Sequence, residues 1–531
     1  MNPEKQNFTA ERIDQKALNM ADYWLTPAEF IQSLQEKGEA QLAETYRQAV
    51  RVANDVRAAG GRALIVGGFV RDYFFGKTSK DIDLEIYGLP REKFREVIGR
   101  GRKTNEVGKA FGVMKIVVGN GLDIDVAPPR RDSKVGTGHR GFQAEFDPDL
   151  SISEAARRRD FTMNSISADP LTGQIYDPWG GREDIKQHCL RVTDPEKFGE
   201  DPLRILRAMQ FVGRFALTLE SASLKACQDN LDSVKTLPRE RLLEEWNKLL
   251  LKSERPSLGL EAGKKIGLFK VFYPELEILS SLPQNPEWHP EGDVWIHTKM
   301  TVDEMAQIIR REKLTEEQAA PLMYAALCHD LGKASSTVKK DGKFVAYGHE
   351  QSGLKITEEF LKKLSSKKDF TKKVLPLVAE HMWPVNMAKE KEKISDGAIR
   401  RLAIRTAPAS IQELIWVGEA DQRGCGVPLD QRRENDFSET GQFILGRWLL
   451  ERAESLGVKH DRPALLTRGQ DWLAWGCRKE SGKNIGELIK LAERLRDEQN
   501  YDRQQIHDAT KSELATDPTG NQAVAKLRRL I

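Results

Sequence analysis

Residues 63–87 read ALIVGGFVRDYFFGKTSKDIDLEIY, and this stretch decides the fold. Ala63–Val66 is apolar and β-prone, which predicts a buried strand. Gly67 and Gly68 let the backbone turn sharply and approach whatever lies above the strand end. A short helix is predicted over Val70–Phe75, ended by Gly76. The chain then returns as a strand carrying Asp81 and Asp83. Alternation puts positions i and i+2 on one face, so both carboxylates point the same way. Adjacent like charges are costly unless a cation joins them, and hard oxygen ligands suit Mg²⁺. The Gly-Gly turn offers N–H groups, and Arg71 offers a guanidinium, for phosphates. Alone, an Asp-x-Asp is an ordinary strand face and a Gly-Gly an ordinary turn. In this order they are the equipment for nucleotidyl transfer.

Composition bounds the rest. A chain of 531 residues is long enough for three or more domains. With 39% hydrophobic and 31% charged residues it reads as a soluble globular protein. Its net charge is only +3, so any RNA contact must use local patches. The five cysteines are scattered and never form Cys-x-x-Cys, which predicts reduced thiols rather than a disulfide frame or zinc ribbon. No signal-like segment and no membrane-length apolar run occurs, which predicts a cytoplasmic protein without a membrane partner.

Around the central stretch, residues 1–45 are polar with one amphipathic patch, Trp24–Leu34, and read as an appended helical extension. A helix is predicted over Gln41–Ala59 and another over Arg91–Arg100. Strands Val113–Val118 and Leu122–Val126 follow, joined by a turn at Gly119–Gly121. Asp123 and Asp125 again sit at i and i+2; one of them completes a carboxylate trio, or both belong to a solvated hairpin face. The basic, Gly-rich Arg130–Phe142 predicts a mobile loop. Then come ARRRDFTMNS at 156–165 and the turn DPWGG at 177–181. From about Val192 the pattern is helical. In FGEDPLRILRAMQFVGRF, residues 198–215, Asp201-Pro202 is an ordinary helix start. Glu200, Arg204 and Arg207, however, share one face and could read a nucleobase edge.

GGFVRDYFFGKTSKDID resembles motif A of the class II tRNA nucleotidyltransferase and bacterial poly(A) polymerase superfamily. The resemblance implies that Asp81 and Asp83 hold Mg²⁺ and that Gly67, Gly68, Arg71 and Asp72 line the nucleotide. It favours Asp125, followed by Arg130, as the third catalytic carboxylate. ARRRDFTMNS resembles motif B, which implies Arg159 at the triphosphate, Asp160 at the ribose and Asn164 nearby. DPWGG resembles motif C and a hinge between head and neck. Glu200-Asp201-x-x-Arg204 resembles motif D, which implies an amino-acid template for incoming CTP or ATP, with Arg207 beside it.

A composition break at SSLPQNPEWHP, residues 280–290, precedes a second constellation. Five of the nine histidines lie between His289 and His381. A single histidine on such a helix is usually packed or capping. The ordered set His297, His329-Asp330 and Asp421, with Leu-Gly-Lys after the pair, resembles the HD phosphohydrolase superfamily. That resemblance implies His297, His329, Asp330 and Asp421 as ligands of a divalent transition metal, and Lys333, His349 and His381 around them. Residues 462–492 resemble the RNA-associated helical tail of HD-bearing CCA-adding enzymes.

The expected fold is α+β: an N-terminal nucleotidyltransferase head with a small mixed sheet, then all-helical neck, HD and tail domains. The boundaries are 1–45 extension, 46–190 head, 191–280 neck, 281–425 HD and 426–531 tail. The resemblance implies CCA addition to tRNA from CTP and ATP by two-metal transfer, with a second, HD-borne phosphohydrolase activity. Two rivals stand: a poly(A) polymerase or a CC- or A-adding half-enzyme, and an HD metallophosphohydrolase whose head only binds RNA.

Overall fold

The computed structural model describes residues 24–107, 112–119, 122–134, 142–426, 436–438 and 441–531. The chain divides into two compact units: one runs to Leu249 and includes Leu258–Leu268, the other holds Leu250–Ser257 and Phe269–Ile531. Among the described residues, no helix is long and apolar enough to cross a membrane.

The first unit is built on a mixed sheet. Its strands are β1 (Arg62–Val66), β2 (Ile82–Tyr87), β3 (Thr104–Val107), β4 (Val113–Val117), β5 (Asp123–Ala127), β8 (Ser167–Ala168) and β9 (Ile175–Tyr176). Their order is β3-β4-β5-β2-β1-β8-β9. β2 and β5 run parallel, in a register that sets Asp83 against Asp125. The other pairs are antiparallel. β1 is apolar because it lies inside: Leu64 and Ile65 are fully buried, with Ile82, Leu84 and Ile86 of β2 beside them. The helix after the glycines spans Gly68–Phe74, starting earlier than Val70 because Gly67, at φ 72°, makes the turn alone. β3 was not foreseen; TNEV carries too little apolar alternation to stand out.

The segment expected as a mobile loop is different where it is described. Arg130–Lys134 and Phe142–Phe146, β6 and β7, pair antiparallel as a two-stranded ribbon. Residues 135–141 lie outside the described residues, as do Asn120 and Gly121 of the expected turn. The DPWGG turn is closely packed. Asp177 accepts from the Gly181 and Arg182 amides at 2.7 and 2.9 Å. A Cβ on Gly181 would fall 2.2 Å from the Thr162 carbonyl oxygen.

The first 23 residues lie outside the described chain, but from Trp24 on the expected appendage is part of the head. Thr26 and Glu29 form a reciprocal cap on the helix Pro27–Glu36. The helix Ala40–Ala58 follows, and Trp24 donates to the Tyr46 hydroxyl at 3.1 Å. Phe30 stacks on Trp24 and Tyr46, and this group closes over Phe69 and Tyr73 of the Gly68–Phe74 helix. A charged, polar surrounding hid this cluster from a composition reading.

The second unit is helical, with one exposed hairpin, Val338–Lys340 with Lys343–Val345. Helices Val294–Arg311, Glu316–Cys328, His349–Leu364, Lys368–Glu380 and Ile411–Gly424 form its first part. Trp472, Leu488, Leu495, Ile506 and Leu527 bury themselves where Gly482–Gln499, Arg503–Thr516 and Asn521–Leu530 meet.

The fold places Trp24 against the helix that follows the glycines. Trp24→Ala should destabilise the first unit by about 3–5 kcal/mol, because a large ring leaves a cavity and an orphaned hydroxyl. Denaturant unfolding followed by fluorescence or circular dichroism checks this. A change under about 1 kcal/mol, the range of surface substitutions, would restore the appended reading.

Candidate active sites

The head site is assembled at the ends of β1, β2 and β5. Asp81 is exposed just before β2 and Asp83 is partly covered within it. Burial, then the charges of Asp125 and Asp81, push the Asp83 carboxyl up to about 6, against the pull of Arg159 and Lys115. Lys115 on β4 reaches Asp125 at 2.7 Å. On β5 the register stands Asp125, not Asp123, beside Asp83. A crowd of carboxylates with one raised titration is relieved by a cation, so the donor chemistry fits a divalent metal. Gly67 fits the same account. A Cβ there would sit 3.4 Å from an Arg159 nitrogen and 3.6 Å from an Asp83 oxygen, so the bare Cα keeps the approach between them open.

The motif residues expected at the nucleotide are joined to one another. Arg71 is buried, donating to Asp72 at 2.7 Å and to the Asn164 side-chain oxygen at 2.8 Å. Its guanidinium lies over Phe211 and Phe215. Asn164 donates to Asp160 at 2.8 Å, and Asp160 pairs with Arg207 at 2.6 Å. Arg214 stands 3.7 Å from Asp72. Arg207 and Arg214 lie two turns apart on the helix Leu203–Phe215, so the contacts close a ring. Arg71 ties the glycine helix to motif B, with Asp72 as its counter-charge. Asp160 would be raised by burial, yet Arg207, Asn164 and the Phe161 amide hold it below the usual carboxylate range.

The motif D residues are likewise engaged. Arg204 donates to the carbonyls of Lys197 and Arg158 at 2.6 and 2.5 Å. Glu200 faces Lys197 at 3.2 Å. Asp201 accepts from the Leu203 amide at 3.0 Å, as a residue starting a helix does.

Sequence reasoning missed Glu85. It follows Asp83 at i+2 and is fully covered, accepting from Arg158 at 2.8 Å, Arg159 at 3.3 Å and Tyr87 at 2.8 Å. Arg159 is thereby held at the strand end, its other branch donating to the Asn164 carbonyl at 3.1 Å. The alternation 81, 83, 85 was the available signal.

The second site lies in the helical unit, at a cavity of about 660 Å³. Among the described residues, two buried triads bring one ligand atom from each member within 4.8 Å: His297, His329 and Asp421, and Asp330, His349 and His381. His329, His349 and His381 each place Nδ1 2.8 Å from a carbonyl oxygen, of Ala326, Ala346 and Val378. A carbonyl only accepts, so the proton is on Nδ1 and Nε2 is left bare. Yet the Nε2 atoms of His349 and His381 face each other at 3.3 Å, as do those of His297 and His329. Imidazole nitrogens gathered this closely with carboxylate oxygens are the donors that a cation would join. Burial and the neighbouring His329 and His349 lower His381 to about 3, so it stays neutral. Burial alone would lower His297; Asp421 and Glu291 outweigh it and raise His297 to about 9, a proton standing where a metal would bond. Asp330 also holds Lys333 at 2.7 Å, and Lys333 donates to Gln284 at 2.8 Å. Gln284, Trp288 and His289, in the stretch read as a break between domains, are a wall of this cavity. Both sites therefore fit divalent metal, the first by oxygen donors and the second by mixed imidazole and carboxylate.

Glu85 supplies a stability test. Burial would raise it, but Arg159, Arg158 and Tyr87 hold it below its usual 4.5. Glu85→Gln leaves two shielded guanidinium groups without their charge partner and should cost about 3 kcal/mol at pH 7. A carboxyl with a depressed folded value stabilises above its unfolded value and ceases to as pH falls through the folded one. The gap between wild type and Glu85→Gln should be full at neutral pH and close progressively in acid below 4.5, which denaturant melts at several pH values would read.

Residues 63–191 match the Poly A polymerase head domain, 216–279 the probable RNA and SrmB-binding site of polymerase A, and 294–412 the HD domain. The Multifunctional CCA protein of Xanthomonas campestris pv. campestris (strain B100) is 32% identical over 369 residues, 68% of this chain and 84% of that protein. The protein of the same name from Actinobacillus pleuropneumoniae serotype 5b (strain L20) is 30% identical over 400 residues, 74% of this chain and 92% of that one. The fold is similar to that of the Bacillus stearothermophilus CCA-adding enzyme in complex with CTP, with TM-score 0.59 at 20% identity over 89% of this chain and 98% of that one. It is similar also to that of the Thermotoga maritima CCA-adding enzyme complexed with tRNA, with TM-score 0.55 at 18% identity over 93% and 100%. With its Asp83–Asp125 register, its motif B and D helix, and its HD cluster, the chain belongs to the CCA-adding tRNA nucleotidyltransferases of the poly(A) polymerase superfamily that carry an HD domain.

Proposed function

We propose that this chain adds CCA to the 3′ end of tRNA from CTP and ATP, releasing pyrophosphate at each step, as a cytoplasmic enzyme. The observation that carries the reading is the register of β2 and β5, which stands Asp83 beside Asp125 at a strand end opened by Gly67. Asp81, Asp83 and Asp125 would hold Mg²⁺, which neutralises triphosphate charge and makes the attacking 3′-hydroxyl easier to deprotonate. Arg159, fixed by Glu85, keeps further N–H groups for phosphate oxygens. The Asp160–Arg207 contact, which joins motif B to the motif D helix, supports a ribose and base bound beside them. Glu200, Asp201 and Arg204 select the base: cytosine and adenine share an exocyclic amine and a ring acceptor, where uracil and guanine present the reverse. Leaving such groups unpaired costs about 1–3 kcal/mol each, enough for strong discrimination. Residues 46–190 act as head, 191–280 as neck, 281–425 as HD domain and 426–531 as an RNA-associated tail.

A second activity rests on a different observation, the two histidine-carboxylate triads. Their donors suit a divalent transition metal, which polarises a phosphate ester and activates water. Lys333, at the cavity wall beside Asp330, is placed to meet a phosphate oxygen. The HD domain is a phosphohydrolase on this reading.

The deciding assay uses purified protein, tRNA lacking its 3′ end and each labelled nucleotide in turn. Ordered incorporation of C, C and A is expected. Runs of A, or C alone, or A alone on tRNA ending in CC, would turn the reading to a poly(A) polymerase or a half-enzyme. Phosphoesterase activity with no incorporation would turn it to an HD hydrolase. Asp81→Asn and Asp83→Asn should each reduce nucleotide addition by about 10²-fold or more while the protein still melts cooperatively. The doubly substituted His329→Ala, Asp330→Ala protein should lose metal-dependent phosphoesterase activity and keep nucleotide addition, because the two centres use different donors in separate compact units. Loss of both activities in a folded protein would mean one shared site.

A further inference from the structure

Four histidines of the HD centre are held through Nδ1, but not alike. His329, His349 and His381 each lean on the carbonyl of the residue three positions earlier. For His329 and His381 the reason is local. They stand immediately past the helices Glu316–Cys328 and Lys368–Glu380, where the last carbonyls have no helical partner. His297 sits in the second turn of Val294–Arg311, where the carbonyls are already committed to the helix. Its Nδ1 turns instead to a carboxylate, Glu291 Oε1, at 2.9 Å.

Glu291 is itself fixed. Its side chain is only 3% exposed. His289 Nδ1 lies 2.9 Å from the same oxygen, and Oε2 accepts from the Gly426 amide at 2.9 Å. A Cβ on Gly426 would stand 2.7 Å from that of Glu291, so the backbone can come this close only as glycine. Gly426 lies just past Ile411–Gly424, the helix that carries Asp421. One carboxylate thus ties the entrance of the His297 helix to the exit of the Asp421 helix.

We propose that Glu291 is a positioning residue of the HD centre. By accepting the Nδ1 proton it keeps His297 Nε2 facing Asp421 and makes that imidazole the strongest nitrogen donor of the set. The two triads are therefore unequal: a divalent cation fills His297, His329 and Asp421 first, and Asp330, His349 and His381 second. This rests on the reading of the HD cluster as a metal centre.

The test is a Co²⁺ titration of the full chain, followed by visible absorption and equilibrium dialysis. An Asp81→Asn, Asp83→Asn background removes the head carboxylates. His349→Ala leaves the first triad, and there Glu291→Gln should weaken Co²⁺ by about 10- to 100-fold and shift the absorption band. His297→Ala leaves the second triad, whose affinity Glu291→Gln should not change. His289→Ala, which breaks the other bond to the same oxygen, is the folding control and should leave the first triad unchanged. Equal weakening of both triads, or of neither, overturns the proposal while leaving the metal centre standing. No Co²⁺ binding by the protein with both triads intact overturns the metal reading, and the proposal with it.

Discussion

The head depends on a closed circuit of polar side chains: Arg214, Asp72, Arg71, Asn164, Asp160 and Arg207. Arg71, Asp72, Asn164 and Asp160 are buried, Arg207 and Arg214 only partly, and removing one partner leaves a buried neighbour unpaired. The circuit begins and ends on one helix, Leu203–Phe215, two turns apart. Between those ends it passes through the glycine helix and the motif B turn. Three separate segments are thereby held to one geometry. Phe211 and Phe215 on the same helix cover Arg71 and keep water from competing for it. At the strand end, by contrast, Asp83 stands beside Asp125 with Asp81 close by, a gathering of like charges that a cation would relieve.

The two centres solve the same electrostatic problem with different materials. In the head, oxygen donors crowd at a strand end and repel, and burial together with that crowding raises Asp83. In the HD centre the crowding is of imidazole nitrogens and carboxylate oxygens, each ring aimed by a bond at its opposite side. Hard oxygen donors favour a cation that keeps water; imidazole favours one that forms directed bonds. Chemistry of the first kind suits a triphosphate that brings its own oxygens. Chemistry of the second kind suits activation of water at a fixed position.

What the sequence made legible was whatever its chemistry expressed locally. Asp81 and Asp83 stand out by their spacing, whereas the pairing of β2 with β5 that sets Asp125 beside Asp83 lay outside the hydrophobic pattern. The HD histidines stood out because they are rare and clustered. What escaped reading was partnership across long separations. Arg71 looks from its neighbours like a phosphate donor, and its bond to Asn164, 93 residues on, could not be read from them. Arg204 looks like a base reader, yet part of its fork is spent on the Arg158 carbonyl, 46 residues earlier. Trp24 sits in a polar stretch whose composition says appendage, while its partners Phe69 and Tyr73 belong to the core. Proline and glycine around Glu291 read as a linker because such residues also make well-packed loops.

Glu85 and Glu291 share one logic, which explains why neither belongs to a recognisable motif. Neither touches a reacting group in this geometry; each holds a residue that does. Glu85 takes two shielded arginines, whose charges would otherwise lack a partner there, and directs one toward Asp83. Glu291 takes the back of His297 and directs its front toward Asp421. A motif is defined by chemistry that must be reproduced at fixed spacing, whereas a holder can come from any nearby segment that reaches. For His329 and His381 a helix end does the holding with its own free carbonyls, and no extra residue is needed. Where the ligand sits inside a helix, or the guanidinium precedes a turn, a buried carboxylate has to be supplied from elsewhere. The position of such a carboxylate therefore follows from which functional side chains the backbone leaves unsupported.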